Sequence, residues 1–193
     1  MSETQREKII RELRLRSFST KNEDLHSAVT TKSGDEGTTS LLFGRKVPKW
    51  HPRIKLVGKL DMLSSFLNLC KVDADERERH SLNKIQESLV YVMGEVATHE
   101  DDWEQHTEYY HRIAESDVEQ LQEMTFGLEK QGAQFTAWVE KMELPQAFAE
   151  TARTITRETE SMAWELVSED LLRKELALWL NRLSDYLWAV ARI

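Results

Sequence analysis

At 193 residues the chain is long enough to bury one good hydrophobic core, and its length does not ask for a second domain. Hydrophobic residues make up 40% and charged residues 31%, with only 7 glycines and 3 prolines, a balance that favours helices over a turn-dense β fold. A net charge of -8, with the lysines and arginines interspersed among acids, argues against nucleic acid as a partner, and no run of 18 apolar residues is present to span a membrane.

In chain order, the stretch from Glu7 to Arg16 is basic and amphipathic. Its glutamates argue against a mitochondrial transit peptide and no hydrophobic signal region follows, so the cytoplasm is the expected location. Residues 1–30 read as an N-terminal extension, a short helix and a Ser/Thr/Asn-bearing linker expected to be mobile unless docked on a partner chain, ahead of a single domain over residues 31–193. A polar, glycine-bearing loop comes next, Thr31-Lys32-Ser33-Gly34-Asp35-Glu36-Gly37-Thr38-Thr39, and the segment closes with Pro48-Lys49-Trp50-His51-Pro52.

A first long helix is expected from about Arg53 to Val72, with Ile54, Val57, Leu60, Leu63 and Leu67 at helical spacing. A second fits Ala74 to Thr98 and buries Leu82, Ile85, Leu89, Val92 and Met93. The polar, aromatic stretch Glu100 to Arg112 has no clear period. Ser116-Asp117-Val118-Glu119 reads as a capping box, so a third helix is expected from Asp117 to near Gly132. Residues 133–143 read as helical or irregular. A helix from about Pro145 to Val167 and a last one from Glu169 to Arg192 complete the chain. Helices with single apolar stripes bury them by packing side by side, so the expected fold is all-α, an up-and-down bundle of four to five helices.

Several residue types carry chemistry. Arg153, Arg157 and Glu160 fall at i, i+4 and i+7, one helical face on which two guanidiniums can approach one anion; an ordinary solvated face gives the same pattern. Asn181 and Asp185 sit at i and i+4 beside an apolar stripe, as surface groups or as a satisfied network. The loop glycines Gly34 and Gly37 can expose amides as an anion-binding nest with Lys32 adding charge, yet the loop lacks the ending of a Walker motif, and a solvated turn has the same composition. The lone Cys70 cannot form an internal disulfide and reads as a small core residue. His99, His106 and His111 lack the spacing of a helical zinc site and read as solvated or locally bonded. Trp164, Trp179 and Trp188 are expected to pack the bundle.

The unbroken run Asn181-Arg182-Leu183-Ser184-Asp185-Tyr186-Leu187, together with the loop at Thr31, Lys32, Gly34, Asp35 and Gly37, resembles the ATP:cob(I)alamin adenosyltransferases of the propanediol-utilisation type. Lys49, Gly58 with Asp61, and Arg153, Arg157 and Glu160 match further positions of that family. The likeness covers about residues 31–72 and 145–193 well and the middle more thinly, at Ile85-Gln86, Gly94-Glu95, Ala97-Thr98 and near Glu119.

The resemblance implies attack of a reduced corrinoid's Co(I) on the 5'-carbon of ATP, releasing triphosphate and leaving adenosylcobalamin. It implies ATP, Mg2+ and cobalamin or another corrinoid as ligands. It also implies a homotrimer with ATP at the junction of neighbours, and partners that supply the electron or accept the product. The implied nucleotide contacts are Thr31, Lys32, Gly34, Asp35, Gly37, Thr38, Lys49, Glu160 and Asn181. Arg153, Arg157 and Asp185 are implied at the reacting groups, with Asp61 paired to Arg153 as its support. Phe135 and Trp138 fall where the family shields the corrinoid's lower face. The sequence departs from the family pattern at Glu36, Lys55, Met62 and Ser161, so the alternatives are an inactive corrinoid- or nucleotide-binding homologue and a helical interaction module.

Overall fold

The computed structural model describes residues 32–135 and 142–193. Thr31, Trp138 and the N-terminal extension lie outside the described residues, as does most of the stretch expected to be helical or irregular after Ala133. The described chain forms α1 (Pro52–Cys70), α2 (Glu76–Val96), α3 (Trp103–Tyr109), α4 (Glu115–Glu129), α5 (Leu144–Ser168) and α6 (Lys174–Val190). Five of these are long and one is a short two-turn piece, which agrees with the expected all-α bundle. Two three-residue strands, β1 (Thr38–Ser40) and β2 (Lys46–Pro48), precede α1.

Local chemistry fixes most helix starts. Pro52 opens α1, where its missing amide is harmless, and the His51 ring Nδ1 accepts the Arg53 amide at 3.3 Å. Asp75 caps α2 by accepting the Glu78 amide at 2.8 Å. The expected box at Ser116 is corrected: α4 begins at Glu115, and the Asp117 carboxylate reaches back to the Ala114 amide at 2.7 Å. Aspartate at the third helical position thus serves the role assigned to Glu119, two residues earlier.

The α5 to α6 join also departs from expectation. Asp170 adopts φ 58°, and the Asp170 and Leu171 amides bond back to the carbonyls of Val167 and Leu166 at 3.1 and 2.9 Å. This left-handed closure uses up the last carbonyls of α5, so α6 starts at Lys174 and not at Glu169.

One continuous core joins the long helices. The chain order puts α1 between α2 and α5, α5 against α6, and α6 against α4. The buried stripe of α1 is Leu56, Leu60, Leu63, Leu67 and Cys70, with Arg53 at its head, so Ile54 and Val57 are only half-buried. The expected apolar period was one position out of phase at the first turn, because Arg53 takes the inward place there. Cys70 is buried as expected, and burial pushes its thiol up to about 11, which removes thiolate character at neutral pH. No helix of the described residues is long and apolar enough to cross a membrane.

Candidate functional site

The glycine-bearing loop forms two tight turns leading into β1. The Asp35 amide donates to Lys32 O and the Gly37 amide to Gly34 O, each at 3.2 Å, so these two N–H groups close turns and are not offered to an anion as the nest reading required. Gly34 has a steric reason: a Cβ there would lie 2.9 Å from Lys49 Cε and 3.0 Å from its Nζ. The Lys49 ammonium therefore lies across the loop. Gly37 holds φ +79°, and its carbonyl accepts the Lys49 amide at 2.9 Å. β1 and β2 pair antiparallel with Thr38 opposite Pro48, which holds this arrangement in register. Lys32, Asp35, Glu36 and Thr38 are exposed, and Glu36 forms no ion pair with the exposed Lys55.

A second group of expected residues lies on α5 and α6. Glu160 accepts from Asn181 Nδ2 at 3.2 Å and from Trp164 Nε1 at 3.3 Å. Arg182 Nη1 donates to Asn181 Oδ1 at 2.6 Å and lies 3.4 Å from Asp185. One polar network thus joins Glu160, Asn181 and Asp185 through Arg182. Arg157 is exposed and, among the described residues, has no hydrogen bond or ion pair.

Arg153 does not pair with Asp61. Its Nη2 donates to Glu150 at 2.5 Å, three residues back on the same helix, while Asp61 stays exposed on α1. Glu150, one turn back on the same helix, is within reach of Arg153 without any inter-helix alignment, and it takes the guanidinium within the single chain. The Arg153 hydrogen bond, set against partial burial, holds the Glu150 carboxyl below the usual range, with Arg192 at 3.6 Å adding to the effect. Glu150 and Arg182 were missed in the sequence, although the spacing of Glu150 to Arg153 was visible. The Nε atoms of Arg153 and Arg182 and Oε2 of Glu150 are buried without a hydrogen-bond partner.

The Gly34–Gly37 turns bond within the loop and to Lys49, and the α5–α6 network bonds within its own two helices. Phe135 is 61% exposed, so its ring faces outward from the bundle. Trp179 packs the bundle as expected, Trp188 is half-buried with the Arg192 guanidinium 4.1 Å over its ring, and Trp164 is 40% exposed, a correction explained by its position on the polar side of α5 beside Glu160.

Two buried clamps were not foreseen. Arg53, 1% exposed, donates to Val96 O at 3.1 Å, to Glu100 at 2.5 Å and to Leu171 O. Glu95, fully buried, accepts the Ile113 amide at 2.7 Å and a two-pronged contact from Arg173 at 2.6 to 3.0 Å. Both tie the end of α2 to the α5–α6 turn. His99 and His111 are locally bonded as expected, His99 to the Asp101 amide and His111 to Asp117. His106 is neither solvated nor bonded: it is fully buried, with both ring nitrogens lacking a partner. Among the described residues no cluster of three or more His, Cys, Asp or Glu could hold a metal ion.

The fold and this geometry define an all-α bundle with a cation-rich polar face on its two C-terminal helices and a lysine-crossed loop ahead of its first. The chain belongs to the cobalamin adenosyltransferase family, whose model matches residues 29–193. It is 34% identical over 167 residues to the corrinoid adenosyltransferase PduO of Salmonella typhimurium, covering 86% of this chain and 49% of that protein. A corrinoid adenosyltransferase of Citrobacter freundii is 31% identical, with 86% of this chain and 93% of that protein covered. The chain therefore spans about half the length of the PduO proteins it matches and nearly all of the shorter relative. Among solved structures, a variant PduO-type ATP:corrinoid adenosyltransferase from Lactobacillus reuteri complexed with cobalamin and ATP superposes with a TM-score of 0.74 at 28% identity, covering 84% of this chain and 90% of that one.

Proposed function

We propose that the protein transfers the 5'-deoxyadenosyl group of ATP to the cobalt of a reduced corrinoid, giving adenosylcobalamin and triphosphate. One observation carries this reading: Arg157 presents an exposed guanidinium, with no hydrogen bond or ion pair among the described residues, on the α5 face that also bears Arg153 and Glu160. An exposed guanidinium with its donors in reserve is what a polyanion would engage. The L. reuteri relative complexed with ATP and cobalamin supports the same substrates.

In this reading Co(I) attacks C5' of ATP, the C5'–O bond breaks, and its electron pair leaves with the triphosphate. The reaction needs no nucleophilic side chain. The chain's part is to position ATP and to neutralise the departing charge. Lys32 and Lys49 bring two ammonium groups to the Gly34 loop, with Thr31, Asp35, Gly37 and Thr38 shaping it. Arg153 and Arg157 face the phosphates from α5. Glu160 fixes Asn181, and Arg182 connects Asn181 to Asp185, so these groups orient nucleotide or corrinoid as one unit. Phe135 and Trp138 would cover the corrinoid's lower face and keep water away. Mg2+ would enter with the nucleotide and share with Lys32, Lys49, Arg153 and Arg157 the neutralisation of the phosphate charge.

Residues 31–193 act as one domain in this reading, in the cytoplasm. A homotrimer is supported by α1, where Met62 and Leu69 are 43% and 40% exposed and a Cβ on Gly58 would meet nothing within 4 Å. Gly inside an exposed helix costs about 1 kcal/mol against alanine, and nothing among the described residues requires it. A neighbouring copy lying on α1 supplies a reason, and would bring the loop of one subunit and the arginines of another to one ATP. A reductase must supply the electron to cobalt.

The test is incubation of the purified protein with ATP, Mg2+ and chemically reduced cobalamin, followed by absorbance. The adenosylcobalamin spectrum is expected. Corrinoid binding without conversion would establish the inactive homologue instead, and absence of both ATP and corrinoid binding would reject the site.

A further inference from the structure

Away from these residues, α1, α2, α3 and the β1–β2 tip line a partly open cavity of about 230 Å3. Leu42, Val57 and Met93 give it apolar walls, Tyr91 and Tyr110 stand at its side, and His106 is the titratable imidazole among its lining residues. No carboxylate, ammonium or guanidinium lines it. The His106 ring is fully buried, held edge-on by Trp103 at 5.6 Å and tilted against Tyr110 at 5.3 Å, yet neither Nδ1 nor Nε2 has a hydrogen-bond partner.

This combination is unusual because buried polar groups are nearly always paired. The nearby buried groups Glu95 and Arg53 are paired, to Arg173 and the Ile113 amide and to Val96 O and Glu100. Gly94 keeps the space beside the ring open, since a Cβ there would come within 3.6 Å of Nε2. Burial, with the Arg112 and Arg173 charges nearby, lowers the imidazole pKa to about 4, so at neutral pH it offers one N–H donor and one bare acceptor nitrogen. A hydroxyl matches such a ring, because it can donate to the bare nitrogen or accept from the N–H. Size sets the rest: a dry apolar cavity of roughly 150 Å3 accepts benzene, so this one has room for an aromatic ring with a polar tip.

We propose that the cavity is a binding site for a small, uncharged, mainly apolar molecule carrying one hydroxyl, about the size of phenol, held by a hydrogen bond to the His106 ring. It uses none of the residues assigned to adenosyl transfer. It therefore stands or falls separately from that function.

The test is an NMR titration of the 15N-labelled full-length protein with phenol, and with toluene as the same ring without the hydroxyl. Phenol is expected to shift the His106 ring nitrogens and the Gly94 amide saturably, and to bind at least about tenfold more tightly than toluene. His106→Phe keeps an aromatic ring in place and should abolish that preference, while Gly94→Ala, which adds a methyl group beside Nε2, should weaken phenol. Equal affinity for phenol and toluene in the wild type, or a preference that survives His106→Phe, overturns the proposal. Should His106→Phe fail to fold, unchanged phenol affinity in Gly94→Ala overturns it.

Discussion

Arg53 and Arg173 carry the same guanidinium as Arg153 and Arg157, in very different surroundings. The first pair is locked. Arg53 reaches two carbonyls and Glu100, and Arg173 grips the fully buried Glu95 with two prongs while also donating to Ile113 O at 2.8 Å. The second pair is left incomplete, with Arg157 unengaged and Arg153 tied only to Glu150 on its own helix. A structural arginine must be saturated, because burying an uncompensated charge is prohibitive; a ligand-binding arginine must keep donors in reserve. The difference separates what holds this bundle together from what the bundle presents.

The largest effect should come from breaking the locked pair. Glu95→Ala leaves Arg173 and the Ile113 amide unpartnered and should lower unfolding stability by about 3–5 kcal/mol in urea denaturation. A loss under about 1 kcal/mol would show that Arg173 finds another partner and that the two arginine classes are not distinct.

Arg157→Ala tests the other side. Calorimetric ATP affinity should fall by about 1.5–3 kcal/mol while unfolding stability changes by no more than about 0.5 kcal/mol. Unaltered ATP affinity in the folded variant would remove Arg157 from the site.

His106 sharpens the comparison from a third direction, as a buried group that the fold itself leaves unsatisfied. Its pKa is lowered from 6.5 to about 4, by burial first and then by the Arg112 and Arg173 charges. The unfolded chain therefore binds more protons between these values, so stability is fully present above pH 6.5 and declines as pH falls toward about 4. The loss should be about 3 kcal/mol by pH 4 and should vanish in His106→Phe, as measured by thermal unfolding across that pH range.

The smallest effect concerns the loop. Glu36 and Lys55 are both exposed and unpaired with one another, so a double-mutant cycle of Glu36→Lys and Lys55→Glu on ATP binding should give a coupling below about 0.5 kcal/mol. Glu36→Lys alone should strengthen ATP binding by relieving repulsion of the triphosphate. A coupling above about 1 kcal/mol would show instead that the two side chains organise the loop together.

The sequence by itself determined the helices, because apolar spacing and end chemistry are local. Leu82, Ile85, Leu89 and Val92 repeat at the helical period and are all buried in α2, and the inward apolar positions of α6 follow the same rule. It also grouped Arg153, Arg157 and Glu160 on one face, and through the unbroken run at Asn181 it pointed to the family. Only the tertiary structure decided which polar groups are spent and which remain available. Nothing local marks Arg53 and Glu95 as buried clamps, because their partners lie 43 to 118 and 18 to 78 residues away. Lys49 crosses Gly34 because a β pairing brings them together, and Asp61 loses Arg153 to the nearer Glu150. The physical reason is range: helix propensity and apolar period act over one or two turns, whereas pairing of charges and enclosure of a cavity depend on which elements the folded core brings into contact.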